Sequence, residues 1–161
     1  YPKSDRATQA AQYISDLRNK LETKAFENAD AAILAAAVAD YKPTEVSDIK
    51  IKKKADDMKI DLVKTHDILA ALGKIKTGKQ ILAGFALETN NELENAKDKL
   101  LKKNLDFIVL NSLKNPGAGF KHSTNQITIV HKNNNVQDFE LKPKTEVARD
   151  IVDTLAAKLI A

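Results

Sequence analysis

Apolar residues recur along this chain with two different periods, and the alternation predicts a succession of helices and buried strands. Between Thr8 and Glu27, Ala11, Ile14, Leu17 and Leu21 recur at intervals of three and four, the spacing of one helix face, with Asp5 as a candidate cap. The uncharged run Ala31–Ala39 follows and stops at Asp40. It predicts a buried parallel strand, although alanine favours strands only weakly. From Tyr41 to Lys64 the pattern changes. Ile49, Ile51, Met58, Ile60 and Leu62 fall in alternating stretches, with Asp56 and Asp57 at the turn between them. Pro43 bars a regular central strand at the start. Residues 42–64 are therefore expected to form a projecting hairpin with lysines on one side. Such a hairpin is marginal alone and needs a packing partner, such as a second copy of the chain.

Thr65 or Asp67 caps a short predicted helix through Leu72, which Gly73 ends. Gln80–Leu87 is the next buried strand, stopping at Glu88. Asn90 or Asn91 opens a helix with Leu93, Ala96, Leu100 and Leu101 turned inward and Asn104 at its end. Asp106–Leu110 is a third buried strand, ending at Asn111. Pro116, Gly117 and Gly119 mark a loop. Gln126–His131 alternates, Asn133–Asn135 turns and Val136–Leu141 returns, an antiparallel hairpin. Val147, Ile151, Leu155 and Leu159 put a closing helix over Lys144–Ile160. The fold class implied is α/β: a mostly parallel, doubly wound sheet with helices on its faces and an antiparallel edge hairpin, one domain over residues 1–161.

Composition narrows the function classes. The chain has 161 residues, 43% apolar and 30% charged, an ordinary globular balance. Its longest uncharged apolar stretch, Ala31–Ala39, is far short of a membrane span, and no secretory leader is visible, so a cytoplasmic location without membrane contact is expected. Cysteine is absent, which removes disulfides and thiol chemistry. His66, His122 and His131 lack metal-ligand spacing. The net charge is +4, and lysines cluster at Lys50, Lys52, Lys53 and Lys54 and again at Lys97, Lys99, Lys102 and Lys103. Such clusters attract phosphates or simply solvate a surface. With aromatics at 5% and no basic–aromatic interleaving, nucleic-acid binding is the weaker alternative.

Candidate chemistry gathers where strands end, because open α/β sheets bind ligands beyond the carboxyl ends of their strands. Asp40, Glu88-Thr89-Asn90 and Asn111 occupy those ends. Lys99 and Lys103, four apart, share one helix face and could grip a phosphate or a base carbonyl, or only meet water. Phe85 could face a planar ring or belong to the core. Asp67 could act in a site or only cap a helix. No Walker loop and no G-x-G-x-x-G is present among only five glycines.

Taken together, Ala35-Ala-Ala-Val-Ala-Asp-Tyr41, Lys50-Ile-Lys-Lys53, Leu62-Val-Lys-Thr-His-Asp-Ile68, Gly84-Phe-Ala-Leu-Glu-Thr-Asn-Asn91, Lys103-Asn-Leu-Asp106, Asn111 and Gly119-Phe120 resemble, in order and spacing, the phosphopantothenoylcysteine synthetase domain of the bacterial bifunctional coenzyme A biosynthesis protein. The likeness runs from about Ala31 to the C-terminus. It implies a Rossmann-like three-layer sandwich and a homodimer through the 42–64 hairpin. It implies ligation of cysteine to 4′-phosphopantothenate with CTP, through an acyl-cytidylate, with Mg²⁺ accompanying the triphosphate. It places nucleotide contacts on Leu34, Ala35 and Ala36, on Asp40 and Lys50 (also the expected catalytic pair, with Asp40 at the metal), on the turn His66, Asp67, Ile68 and Leu69, and on Phe85, Lys99 and Lys103. FMN would be involved only if an upstream decarboxylase domain belongs to the parent chain.

Three departures accompany the resemblance. The family's Gly-Gly-Thr turn and its Asn-containing segment ending in Ser-Ser-Gly-Lys-Met-Gly have no counterpart here, so the chain is expected to be truncated and a poor ligase alone. Residues 1–28 match weakly. His66 stands where the family often has proline. A nucleotide-binding or dimerisation piece without catalysis is the competing expectation.

Overall fold

The computed structural model describes residues 20, 22–36, 38–45, 59–112, 117, 118 and 122–160. In chain order its elements are β1 (Ala31–Leu34), β2 (Tyr41–Pro43), β3 (Leu62–Lys64), α1 (Ile68–Ile75), β4 (Ile81–Glu88), α2 (Glu92–Lys102), β5 (Phe107–Ser112), β6 (Thr124–Asn125), β7 (Ile127–His131), β8 (Val136–Asp138), β9 (Lys142–Pro143) and α3 (Lys144–Ile160). Residues 20 and 22–27 are also helical, the described part of the helix expected over Thr8–Glu27. Two compact units make up the chain: Tyr1–Ala25 with Ala37–Ile68, and Phe26–Ala36 with Leu69–Ala161.

The second unit is built on a five-stranded sheet in the order β1-β4-β5-β7-β8. β1, β4 and β5 run parallel, and β7 and β8 follow antiparallel. This is the α/β architecture that the hydrophobic pattern predicts. β4 and β5 are apolar at almost every position because both of their faces are covered. On one face Ala83, Phe107, Val109, Ile127 and Ile129 pack with Val147 and Ile151 of α3, and Ile33, Ile81, Phe85, Phe139 and Leu155 surround them. Successive strand residues point to opposite faces, so Leu82, Gly84, Ala86, Ile108 and Leu110 address the other face. That side carries α1 and α2, where Leu72, Ala96 and Leu100 are buried and the Leu69 side chain lies against Gly84.

Two polar residues fasten the amino ends of the strands. One carboxylate oxygen of Asp106 accepts the Leu82 N–H at 2.7 Å and the Lys76 ammonium at 2.7 Å. Gln80, buried, donates to the carbonyls of Phe26 and Ala29 and accepts from the main-chain N–H and the hydroxyl of Thr77. A buried amide is tolerated only when its hydrogen bonds are made inside the protein, and here four of them are.

Four expectations are corrected. β1 ends at Leu34 rather than Ala39, and Ala35 and Ala36 are exposed. Gly73 does not terminate α1, which continues to Ile75. It is a glycine because a Cβ there would fall on the Lys103 carbonyl oxygen, while Asn104 Nδ2 donates to the Gly73 carbonyl at 2.9 Å. Leu93 and Leu101 of α2 face outward, Leu101 being 65% exposed, and only Ala96 and Leu100 of the expected stripe are buried. Asn111 lies within β5, which runs to Ser112. The turn signals fare better. Asn91, Asn104 and Asn134 each hold a left-handed backbone (φ 44°, 52° and 65°), a conformation that asparagine tolerates better than most residues.

In the first unit β2 and β3 pair antiparallel, Tyr41 opposite Lys64 and Pro43 opposite Leu62. Thr44 N–H donates to Asp61 and Thr65 N–H to Asp40, each at 2.9 Å, extending the ribbon at both ends. Pro43 is accommodated because, among the described residues, the ribbon has two strands and each has an unpaired side. Residues 46–58, with Ile49, Lys50 and Ile51, lie outside the described residues.

Candidate functional site

The carboxyl rim of the sheet unit is assembled by the phase of β4. The N–H of Ile81 donates to Asp30 on the β1 side, whereas Leu82 pairs with Asp106 on the β5 side. Odd-numbered residues of β4 therefore turn their main chain toward β1. The last rung between the two strands is Leu34 opposite Gly84. The Phe85 carbonyl and the Leu87 main chain lie beyond that rung, on a length of strand edge that no strand pairs with among the described residues, past the point where the neighbouring chain leaves β1 at exposed Ala35 and Ala36. An edge of this kind presents donors and acceptors at fixed spacing.

The Phe85 ring does not line this edge. It packs against the α3-side core, with Ala83 and Val109. Glu88, of opposite parity, points to the α2 side. Its Oε1 accepts the Lys99 ammonium at 2.6 Å, and its Oε2 accepts Asn95 Nδ2 at 3.2 Å. Asn95 Nδ2 also reaches the Asn90 carbonyl at 3.0 Å, across the left-handed Asn91 that begins α2. Lys99 and Lys103 sit at the end of that helix, where Lys103 N–H donates to the Lys99 carbonyl at 3.0 Å. The helix C-terminus favours cations there. The Lys103 carbonyl is backed by Gly73.

Leu34, Ala35, Ala36, Leu69, Phe85, Lys99 and Lys103 thus belong to the sheet unit, with the Phe85 ring on the face opposite the Lys99 side chain. Asp40, His66, Asp67 and Ile68 belong to the ribbon unit. There the Asp40 carbonyl accepts the Thr65 N–H and the Ala39 carbonyl accepts the Thr65 hydroxyl at 2.6 Å, so the exit from the alanine run and the turn at His66 are joined. Asp40, His66 and Asp67 are exposed. Lys50 lies outside the described residues. Among the described residues no three His, Asp or Glu cluster as a metal cage. A single exposed carboxylate such as Asp40 suits Mg²⁺, which takes one or two protein carboxylates and completes its shell with water and phosphate oxygens. No helix of the described residues is long and apolar enough to cross a membrane.

Sequence reasoning marked Glu88 only as a strand end and passed over Asn95. Two signals could have found the pair: the parity of Glu88 with Gly84 and Ala86 on the helix side, and Asn95 lying one turn before Lys99.

Comparison with known proteins gives this arrangement a family. The model of the DNA/pantothenate metabolism flavoprotein C-terminal domain matches residues 7–159. A cysteine/cysteine sulfinic acid decarboxylase from an unknown prokaryotic organism is 56% identical over 144 residues, which cover 86% of this chain and 40% of that protein. The coenzyme A biosynthesis bifunctional protein CoaBC of Bacillus subtilis is 40% identical over 146 residues, 91% of this chain and 36% of that one. The chain spans about two fifths of the length of these relatives. The crystal structure of the C-terminal domain of a CoaBC superposes with a TM-score of 0.69 at 38% identity, covering 88% of this chain and 62% of that one. The matched span takes in the whole sheet, the lysine-bearing helix and the ribbon, and on that ground the chain belongs to the family of DNA/pantothenate metabolism flavoprotein C-terminal domains.

Proposed function

We propose that this chain is the nucleotide-binding part of a CTP-dependent ligase that joins cysteine to 4′-phosphopantothenate in coenzyme A synthesis. The observation that carries the proposal is the carboxyl rim of β4, where a strand edge at Phe85 with no strand partner among the described residues and two lysines at the end of α2 belong to one strand–helix unit. Cytosine offers an amino donor beside two acceptors, N3 and O2. The Phe85 carbonyl suits the donor, and the ammonium groups of Lys99 and Lys103 suit the acceptors. Uracil carries a donor at N3 and would meet a cation there, which gives the preference a physical basis. The Phe85 ring contributes by holding its own main chain in place from the core side.

In this reading the backbone of Leu34–Ala36 and of His66–Leu69 contacts the nucleotide, Asp40 takes a ribose hydroxyl or Mg²⁺, and Lys50 meets the polyphosphate. The pantothenate carboxylate attacks the α-phosphorus and pyrophosphate leaves. The cysteine amine then attacks the acyl carbon and CMP leaves. Lysine charge counters the negative charge that grows on the phosphates during the first step. Ligation is proposed to need the family's Gly-Gly-Thr and Asn-containing segments as well, so this chain alone binds better than it catalyses. A second copy would cover the exposed Tyr41, Leu62 and Val63 of the ribbon. Light scattering tests this with Ile49 and Ile51 made polar, and an unchanged dimer would remove the hairpin from the interface.

The test of the nucleotide reading is calorimetry with Mg²⁺ and CTP, against UTP and ATP. CTP should bind at least about tenfold more tightly than UTP, the discrimination expected of a site whose donors would otherwise be left unpaired. Equal affinities, or none, would count against it. The similarity to a named decarboxylase favours a second reading, in which the segment supports cysteine decarboxylation elsewhere in a longer protein. Release of CO₂ from cysteine, dependent on this segment and indifferent to CTP, would select it.

A further inference from the structure

We propose that Glu88 is the positioning residue for Lys99: it holds the ammonium at the rim so that the lysine meets a nucleobase with its geometry already set. The inference rests on the reading of Lys99 as a base contact and adds a residue to it. A free lysine has four side-chain torsions to fix on binding, and fixing them opposes association. Here Lys99 Nζ lies 2.6 Å from Glu88 Oε1. The carboxylate is itself anchored. It ends β4, its side chain is 13% exposed, and its second oxygen accepts Asn95 Nδ2. Asn95 is tied in turn to the Asn90 carbonyl, so strand end, helix start and lysine form one connected set.

The geometry distinguishes this pair from an ordinary surface ion pair. Exposed Lys102 and Asp98, one turn apart on the same helix, are separated by 3.1 Å with both side chains open to water. Such a pair contributes little. Lys99 is different: its carboxylate is mostly covered while its own side chain stays 44% exposed. An ammonium has three N–H donors. Glu88 takes one, and the others remain for a ligand. The carboxylate also keeps the ammonium from collapsing onto a triphosphate, whose charge would otherwise draw it away from the base. Glu88 thereby turns a mobile charge into a directed donor and favours recognition of the base over non-specific capture of phosphate.

The proposal is tested on this chain by calorimetry with Mg²⁺, using CTP and inorganic tripolyphosphate as probes, on Lys99→Ala, Glu88→Gln and the double variant. Glu88→Gln keeps the shape and removes the charge. Glu88→Gln should weaken CTP about fivefold and leave tripolyphosphate within about twofold, and it should add nothing in the Lys99→Ala background, since the two residues act as one unit. Glu88→Asp, which withdraws the carboxylate by one methylene, should fall between wild type and Glu88→Gln and serves if the glutamine variant does not fold. An undiminished Glu88→Gln loss in the Lys99→Ala background would overturn the proposal, as would an equal loss for both probes. If Lys99→Ala weakens CTP but Glu88→Gln does not, positioning fails while the base reading stands. If Lys99→Ala leaves CTP affinity unchanged, the base reading fails and takes this one with it.

Discussion

Replacing Gly73 by alanine sets two rules against each other. Gly73 lies inside α1, and helix propensity alone would have the substitution stabilise the protein by about 1 kcal/mol. Packing argues the opposite. The new methyl would land on the Lys103 carbonyl oxygen, 2.8 Å from its carbon. That neighbour is backbone, fixed at the end of α2 by the Lys103–Lys99 hydrogen bond, and cannot rotate away as a side-chain end could. Relief requires α1 and α2 to separate, at about 1–3 kcal/mol for an overpacked site. Separation also stretches the bond from Asn104 to the Gly73 carbonyl, worth about 0.5–1.5 kcal/mol. The net is a loss of about 0.5–3.5 kcal/mol. For a chain of this length that lowers the thermal midpoint by roughly 1–14 °C. Urea unfolding with an unchanged m-value is the assay. A variant as stable as the parent, or more so, would refute the reasoning and show that the two helix ends slide apart freely.

The remaining predictions concern the amino ends of the strands. Asp106→Ala should cost about 3–5 kcal/mol in denaturant unfolding, because Lys76, 6% exposed at its side chain, loses its counter-charge and the Leu82 N–H loses its acceptor. A cost under about 1 kcal/mol would mean that Lys76 reaches water when released. Lys76→Met should cost less, since Asp106 keeps its main-chain partner. His131 is held below the ordinary histidine value of 6.5, first by burial and second by the charge of Lys158. The unfolded chain therefore takes up that proton more readily. Stability should be full above about 6.5 and decline as pH falls through that value toward the folded one. The urea midpoint should be lower at pH 5.5 than at pH 8, and His131→Phe should lessen that difference. An identical pH slope in the variant would assign the effect to other groups.

The parts of this fold that were legible in the sequence are those buried on two sides. Gln80–Leu87 and Asp106–Leu110 each read as a continuous apolar run because each has helices over both faces, and β4 and β5 lie within a residue or two of those bounds. The alanine run misled because a small residue looks apolar in any setting. Ala35 and Ala36 are exposed, and the strand had already ended. Gly73 misled because a terminator and a point of close approach use the same residue, and the approaching carbonyl comes from Lys103, thirty positions on. Of the candidate site, the lysine pair and the strand ends could be read, but the orientation of Phe85 could not. That depended on which face each parity of β4 addresses, which is set by where α3 packs.

The sheet unit is discontinuous, and this carries a consequence for the order in which it assembles. Ala31 pairs with Ile81, fifty positions later, whereas Ala83 pairs with Phe107 and Phe107 with His131, each only twenty-four apart. Doubling the span of a closing loop costs about 0.6 kcal/mol in chain entropy. During synthesis β1 leaves the ribosome well before β4, its neighbour among the described residues, while the central strands meet theirs sooner. β1 is thus joined to the sheet through the longest closing span of these pairings and from one side only among the described residues, and its amides should exchange with deuterium sooner than those of β4 and β5.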